Sequence, residues 1–253
     1  MQLPRVAEPV DPSRTFDPPA RLVLARAVVE LFRVVPMMLS VLLGQLVLVT
    51  LNEVDLRSGL LLTAAVSGVV LLATGILACV VTTVAKWLLV GRFRGGEYPL
   101  WSPFVWRNEL FDNFVEMLAV PWLAGSALGT PMLTVWLRSL GARIGRGVWC
   151  DTYWLPETDL VHIGDGASVN RGTVLQTHLF HDRLMRLDRV QLAEGSTLGP
   201  HSIILPGATV EAMTTIGPAS LVMRGEVVPA GTRWCGNPIS AWAPSQRTNP
   251  ALE

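Results

Sequence analysis

"LAEGSTLGPHSIILPGATVEAMTTIGPASLVMRGEVVPAGTR" (Leu192–Arg233) returns an aliphatic residue at every sixth position: Leu192, Leu198, Ile204, Val210, Ile216, Val222 and Val228. An amphipathic helix repeats at three and four, and a half-buried strand at two. A period of six fits neither element alone and is the mark of a repeat architecture. The fifth residue of each hexad is Ser196, Ser202, Ala208, Thr214, Ser220, Glu226 or Thr232, small in six of the seven. A large inward residue and a small one therefore alternate around a tight corner. The pattern predicts a short strand, a turn and another short strand, with the aliphatic side chains filling a narrow core.

The series extends backward. Ile163-Gly164-Asp165-Gly166-Ala167-Ser168 is a hexad of the same kind, and Val169 and Leu175 continue its register. Ile144-Gly145-Arg146-Gly147-Val148-Trp149 starts it one residue out of phase. Between Leu175 and Leu192 the count slips by seventeen, which is not a multiple of six. The stretch that leaves the coil is "QTHLFHDRLMRLDRVQ" (Gln176–Gln191).

The first half reads differently. Only 16% of the 253 residues are charged, against about 25% in an average soluble domain. Val34–Leu51 is eighteen residues without a charge, and Ser58–Ala85 is twenty-eight. A spanning helix needs about 20 apolar residues, so a transmembrane hairpin is expected over 21–96, with spans at about 34–51 and 60–85 and a short connector at Asn52–Arg57. Arg21, Arg26 and Arg33 precede the first span, and Lys86, Arg92 and Arg94 follow the second. By the positive-inside rule both ends face the cytoplasm, and the coil with them, in a multi-pass membrane protein. Residues 1–20 are polar and proline-punctuated, with no apolar signal region, and are expected to form a disordered tail, as are 243–253. Residues 97–140 carry Trp101, Trp106, Trp122 and Trp136 and read as interfacial helices, or alternatively as helices capping the coil. Cys79, Cys150 and Cys235 have neither zinc-ligand nor disulfide spacing. The formal net charge of zero argues for no nucleic-acid partner.

A regular coil pairs its own backbone groups, so chemistry should sit where the chain departs from it. "THLFHDRLM" gathers His178, His181, Asp182 and Arg183 within six residues. A histidine titrates near neutral pH and can take a proton from an attacking amine or hydroxyl. Asp182 is the nearest carboxylate in sequence to orient it. Backbone N–H groups at Gly172 or Gly195 are candidates for an oxyanion site.

The hexads, closed by Trp234-Cys235-Gly236-Asn237-Pro238, resemble those of the hexapeptide-repeat acyltransferases. The resemblance covers about residues 140–242 and implies a left-handed parallel β-helix of triangular coils over 141–242, behind a helical N-terminal half. It also implies homotrimers with sites between neighbouring coils. More narrowly, "TVLQTHLFHDRLM", the preceding hairpin and "SLVMRGEVVPAGTRWCGNP" are similar to one membrane-bound C-terminal repeat of the poly-ε-lysine-synthetase-type nonribosomal peptide synthetases. In that family a two-helix membrane unit and a β-helix domain occur three times in one chain, and they join a carrier-bound aminoacyl group to a free amino acid; the resemblance implies the cytoplasmic membrane as the location. Thr177, His178, Leu179, Phe180, Asp182 and Arg183 match its T-H-L-F-x-D-R stretch, which favours His178 over His181 as general base.

The expected activity is acyl transfer from a thioester donor, on coenzyme A or phosphopantetheine, to an amine or hydroxyl. No tightly bound cofactor and no metal are expected. Arg183, Arg224 and Arg233 are candidates for donor phosphates, since Arg reads phosphate with a planar fork. A single repeat without an activating domain implies a homotrimer, and an adenylation–carrier protein as a further partner. Two alternatives stand beside this reading. One is a non-catalytic assembly subunit or fragment of a peptide synthetase. The other is a zinc hydratase of the γ-carbonic-anhydrase type, using histidines from among His162, His178, His181 and His201. If the excursion adds five residues to the coil, His178 and His201 lie one coil apart; if it adds eleven, they fall on different faces.

Overall fold

The computed structural model describes residues 18–242; the two expected tails lie almost wholly outside them. The chain begins with α1 (Ala20–Phe32), α2 (Val34–Ser58) and α3 (Leu60–Leu89). Ala20–Ser58 and Leu60–Leu89 are both long and apolar enough to cross a membrane. At 1.5 Å per residue either exceeds the hydrocarbon thickness of about 30 Å. Their outer faces expose Leu42, Leu46, Val49, Leu61, Val69 and Leu88. The expected connector at Asn52–Arg57 is not a loop. Helix α2 continues through it, supported by an Arg57–Glu53 pair one turn apart, because no helix breaker occurs before Gly59. The reversal falls on Gly59 alone, at φ 78°, a conformation that glycine adopts without penalty.

A short strand β1 (Gly96–Pro99) leads to α4 (Pro103–Phe114), which runs directly into a π-helical segment, Val115–Ala124. Pro121 lies in this segment and supplies no N–H. The wide turn brings the backbone of Trp122 so close to α3 that a Cβ on Gly75 would sit 2.7 Å from its carbonyl oxygen. Helix α5 (Pro131–Ser139) follows and buries Leu133 and Leu137 in the core that continues into the coil. The tryptophans expected at a membrane interface divide. Trp106 and Trp136 are core residues, 4% and 8% exposed, the latter donating to the Cys79 carbonyl at 3.2 Å. Trp122 is half-buried and donates to Ser40 Oγ, while Trp101 remains exposed. A buried indole is stable when its N–H finds an acceptor, and the helix packing here supplies two.

The second half is a stack of six-residue rungs. Its strands are β2 (Arg143–Ile144), β3 (Trp149–Cys150), β4 (Val161–Ile163), β5 (Ser168–Val169), β6 (Val174–Leu175), β7 (His178–His181), β8 (Leu184–Leu187) and β9 (Val190–Leu192). They continue as β10 (Thr197–Leu198), β11 (Ile203–Ile204), β12 (Thr209–Val210), β13 (Thr215–Ile216), β14 (Leu221–Val222), β15 (Val227–Val228), β16 (Arg233–Cys235) and β17 (Ser240–Ala241). Three parallel faces form: β2-β4-β9-β12-β15, β3-β5-β10-β13-β16 and β6-β11-β14, with β17 added antiparallel at the end. All seven aliphatic residues of the opening stretch are at most 3% exposed, each worth about 1.5–3 kcal/mol in burial. The small fifth residues Ser196, Ser202, Ala208, Thr214 and Ser220 are buried beside them. Their hydroxyls are not orphaned: Ser202 donates to the Gly217 carbonyl and Thr214 to that of Pro229, closing corners of the next rung.

Two departures from the repeat decide where the site lies. Gln191 pairs with Thr209, eighteen residues on, but His162 pairs with Gln191, twenty-nine on. The excursion therefore adds eleven residues. It forms the antiparallel hairpin β7–β8, which β1 extends to a three-stranded sheet. Its two-residue tip, Asp182-Arg183, has positive φ at both positions, 48° and 63°, the geometry of a primed hairpin turn. The other departure is in the first coil, where Arg143 pairs with His162, nineteen residues on. The extra residue falls in 151–160, an irregular segment with a 3₁₀ turn (Thr158–Leu160) that takes the place of a rung on the β6 face.

That segment also locks the two halves together. Lys86, fully buried near the end of α3, contacts Asp159 Oδ2 at 2.7 Å, and the same oxygen accepts from the Phe93 N–H. Removing one partner of a buried pair leaves an uncompensated charge. We expect Asp159→Ala to cost about 3–5 kcal/mol in denaturant unfolding of the detergent-solubilised protein. The double variant Lys86→Met/Asp159→Ala should recover much of that loss.

Candidate active site

The irregular first-coil segment carries a second buried carboxylate two residues before Asp159. Glu157 is 0% exposed. Its Oε1 accepts from Asn108 Nδ2 of α4 at 2.9 Å, and its Oε2 from Thr177 Oγ at 2.5 Å. The Thr177 oxygen in turn accepts from the Glu157 N–H at 3.2 Å. Thr177 is the last residue before the hairpin, so the carboxylate is pinned to the hairpin's root.

His178 is the next residue, and its Nδ1 lies 3.0 Å from both Glu157 oxygens. An Nδ1–H donated to a carboxylate leaves the Nε2 lone pair free. This is the arrangement by which a carboxylate fixes the tautomer of a catalytic imidazole and stabilises the imidazolium. Burial works hardest against the charged ring. The Glu157 hydrogen bond and the negative charges of Glu157 and Asp112 together outweigh it, so the His178 pKa is raised. The Phe180 ring, on the same side of β7, packs tilted against the imidazole at 5.1 Å between centroids.

His178 opens into a cleft of about 60 Å³ between the helical half and the first coil. Its apolar walls include Phe111, Trp136, Leu140, Tyr153 and Trp154. Asp112 and Glu116 supply the other ionisable groups. Asn108, Asp112 and Glu116 stand four residues apart, so one face of α4 and the following π-turn presents all three. Burial pushes the Asp112 carboxyl up to about 8; Glu157 adds to the rise, His178 opposes it, and Glu116 and Glu109 raise it further.

The remaining candidates from the sequence are dispersed. His181 is exposed at the far end of β7 and pairs with Asp182 Oδ2 at 3.3 Å. The carboxylate in contact with His178 is thus Glu157, and Asp182 stays at the hairpin tip beside Arg183. Arg224 lies on the same corner of the coil as Thr177 but two rungs along, judging by the Val174–Ile203–Leu221 stack, or roughly 10 Å at the usual rung spacing. Arg233 belongs to a different face. Gly172 packs under His201 and Gly195 under Met213, and neither lines the cleft. With eleven added residues, His201, on the corner after β10, stacks on the corner between β5 and β6, whereas His178 begins β7 beyond β6, and His162 lies within β4. Among the described residues, no group of three or more His, Cys, Asp or Glu side chains is arranged to hold a metal ion.

Glu157 and Asp112 are the residues that sequence reading misses. Asp112 has a weak local signal, the polar stripe Asn108–Asp112–Glu116. Glu157 has only the one-residue phase error of the first coil to mark its segment as irregular.

No family model matches the chain. It is 34% identical over 233 residues to Delta-poly-L-ornithine synthetase of Acinetobacter baumannii (strain AB307-0294), a match covering 90% of this chain and 17% of that protein. The chain thus spans about a sixth of that relative's length. Among solved structures it is similar to a maltose O-acetyltransferase from Clostridium difficile 630, at 15% identity and TM-score 0.42 over 62% of this chain and 95% of that one. A hexapeptide-repeat acetyltransferase from Vibrio cholerae matches at 16% identity and TM-score 0.38, covering 48% of this chain and 85% of that one. A galactoside acetyltransferase in complex with coenzyme A matches at 16% and 0.36, covering 47% and 76%.

The Glu157–His178 contact has a direct readout. With Glu157→Gln the main source of the upward shift is gone and burial dominates, so the His178 pKa should fall below its ordinary value of about 6.5. In the unaltered protein it should titrate above that value. Imidazole NMR resonances followed against pH, with His178→Gln for assignment, will measure both.

Proposed function

We propose that this chain is a membrane-anchored acyltransferase that uses His178 as general base on the acceptor. The observation that carries the reading is the imidazole held through Nδ1 by a fully buried carboxylate, in a residue that lines a cleft. A free Nε2 there takes the proton from an amine or hydroxyl as that group attacks a carbonyl carbon. Glu157 positions the ring and balances the positive charge that develops on it. The aromatic walls exclude water, which favours transfer over hydrolysis.

The relative's printed name, a Delta-poly-L-ornithine synthetase, supports an amine acceptor; in this reading the aminoacyl or acyl donor is activated as a thioester. Coenzyme A and phosphopantetheine are the two carriers of such a donor, and a separate adenylation–carrier protein would load the second. A homotrimer would set three coils side by side. Membrane insertion by α2 and α3 is supported by their length and outward apolar faces. The basic ends of both spans lie on the coil side, where Arg33 pairs with Glu109 and Lys86 with Asp159. That charge bias favours a cytoplasmic coil.

Supplying acyl-coenzyme A and carrier-bound aminoacyl donors with L-ornithine will test the reading. We expect turnover by the unaltered protein and a loss of about 10²–10⁴-fold in kcat/KM with His178→Ala. His181→Ala should change it by less than about threefold, as a solvent-exposed tip residue. Equal rates for the unaltered and His178→Ala proteins would remove the histidine from its role. Because the neutral imidazole is the active form, kcat/KM should rise with pH through a midpoint above about 6.5.

A further inference from the structure

The cleft that holds His178 contains a second acid–base group for which base catalysis alone has no use. Asp112 lines it together with the histidine. Among the described residues its carboxyl has no hydrogen-bond or ion-pair partner, although Asn108, one turn earlier on the same helix, is committed to Glu157. A half-buried carboxyl without a partner is costly to keep as an anion, and the groups that face it are mostly acidic: Glu157, Glu116 and Glu109, against His178 alone. Phe111 and Trp136 add apolar wall beside it. A structural role would call for a partner.

We propose that Asp112 is the catalytic acid of the transfer, giving its proton to the thiolate that leaves as His178 takes one from the acceptor. This rests on the acyl-transfer reading above. The step balances as follows. The acceptor's N–H or O–H proton passes to His178 Nε2 while the acceptor atom bonds to the thioester carbonyl carbon. The C–S bond then breaks, its electron pair going to sulfur, and the Asp112 O–H proton converts that thiolate to the free thiol. The imidazolium returns its proton to the Asp112 carboxylate within the same cleft, and both groups are restored. An ordinary alkyl thiol holds its proton with a pKa of about 8.5. An acid of matched proton affinity is the efficient donor for it, and burial sets Asp112 at about 8. Two titratable groups pushed to opposite duties by one site is the usual way an enzyme divides acid and base work.

The test varies the leaving group. Full-length protein in detergent is given L-ornithine and one of two donors with the same acyl group: an N-acetylcysteamine thioester, whose thiolate needs a proton, or a 4-nitrothiophenyl ester, whose thiolate leaves without one. We expect Asp112→Asn to lower kcat/KM about 10²-fold or more with the alkyl donor and less than about threefold with the aryl donor. The unaltered protein should lose activity above about pH 8 with the alkyl donor only. Equal losses with both donors, or none with either, would overturn the role of Asp112 and leave His178 catalysis standing. Should Asp112→Asn fail to fold by circular dichroism, the pH profiles of the unaltered protein decide: the same alkaline limb with both donors overturns the proposal. No turnover of either donor by the unaltered protein would instead remove the acyl-transfer reading itself.

Discussion

The buried carboxylate of Glu157 is the constraint around which the molecule is arranged. A carboxylate taken out of water costs several kcal/mol unless its oxygens are met by donors. Here the donors come from separate elements: Asn108 from α4, and Thr177 and His178 from the root of the hairpin. Satisfying one residue therefore fixes the helix, the first coil and the excursion against each other. Two residues later Asp159 repeats the device with Lys86 and the Phe93 N–H, and ties the same segment to the end of α3. One irregular stretch of chain thus sets both the docking of the helices and the direction of the imidazole.

The coil supplies what such a site needs from its surroundings, which is rigidity. Each rung hands its N–H and C=O groups to the rungs on either side, and buried Ser and Thr hydroxyls close the corners. Among the described residues, no buried side-chain nitrogen or oxygen of the regular part lacks a hydrogen-bond partner. The His178–Glu157 contact forms at the two places where the six-residue count fails. The eleven added residues bring His178, and the single added residue brings Glu157. In the unbroken hexads the buried fifth position holds small side chains such as Ser202 or Ala208.

The helical half does more than supply two helices long and apolar enough to cross a membrane. Its polar stripe, Asn108–Asp112–Glu116, would be out of place on a lipid-facing or core helix. It faces the coil instead: Asn108 donates to Glu157, and Asp112 and Glu116 wall the cleft with Trp136 and Tyr153. The tryptophans that composition suggests as interfacial anchors are drawn into the same packing, because α3 offers Trp136 a carbonyl at Cys79 and α2 offers Trp122 a hydroxyl at Ser40.

What the sequence determined by itself is everything set by local period and composition. The seven buried aliphatics from Leu192 to Val228, the phase error at Ile144, the break after Leu175 and the two charge-free helices follow from spacing, since side-chain direction in a rung or helix is fixed by position along the chain. The continuation of α2 to Ser58 was hidden only because charged residues there read as a connector. His178 could be chosen over His181 by motif, but not its partner. Glu157 is twenty-one residues away, which is not a multiple of six, and Asp112, sixty-six away, lies on a helix outside the repeat. Their meeting depends on how many residues the excursion adds and on which face of α4 turns inward. Those are decided by the cost of leaving a carboxylate unpaired in the interior, a term that exists only once the chain has folded around it.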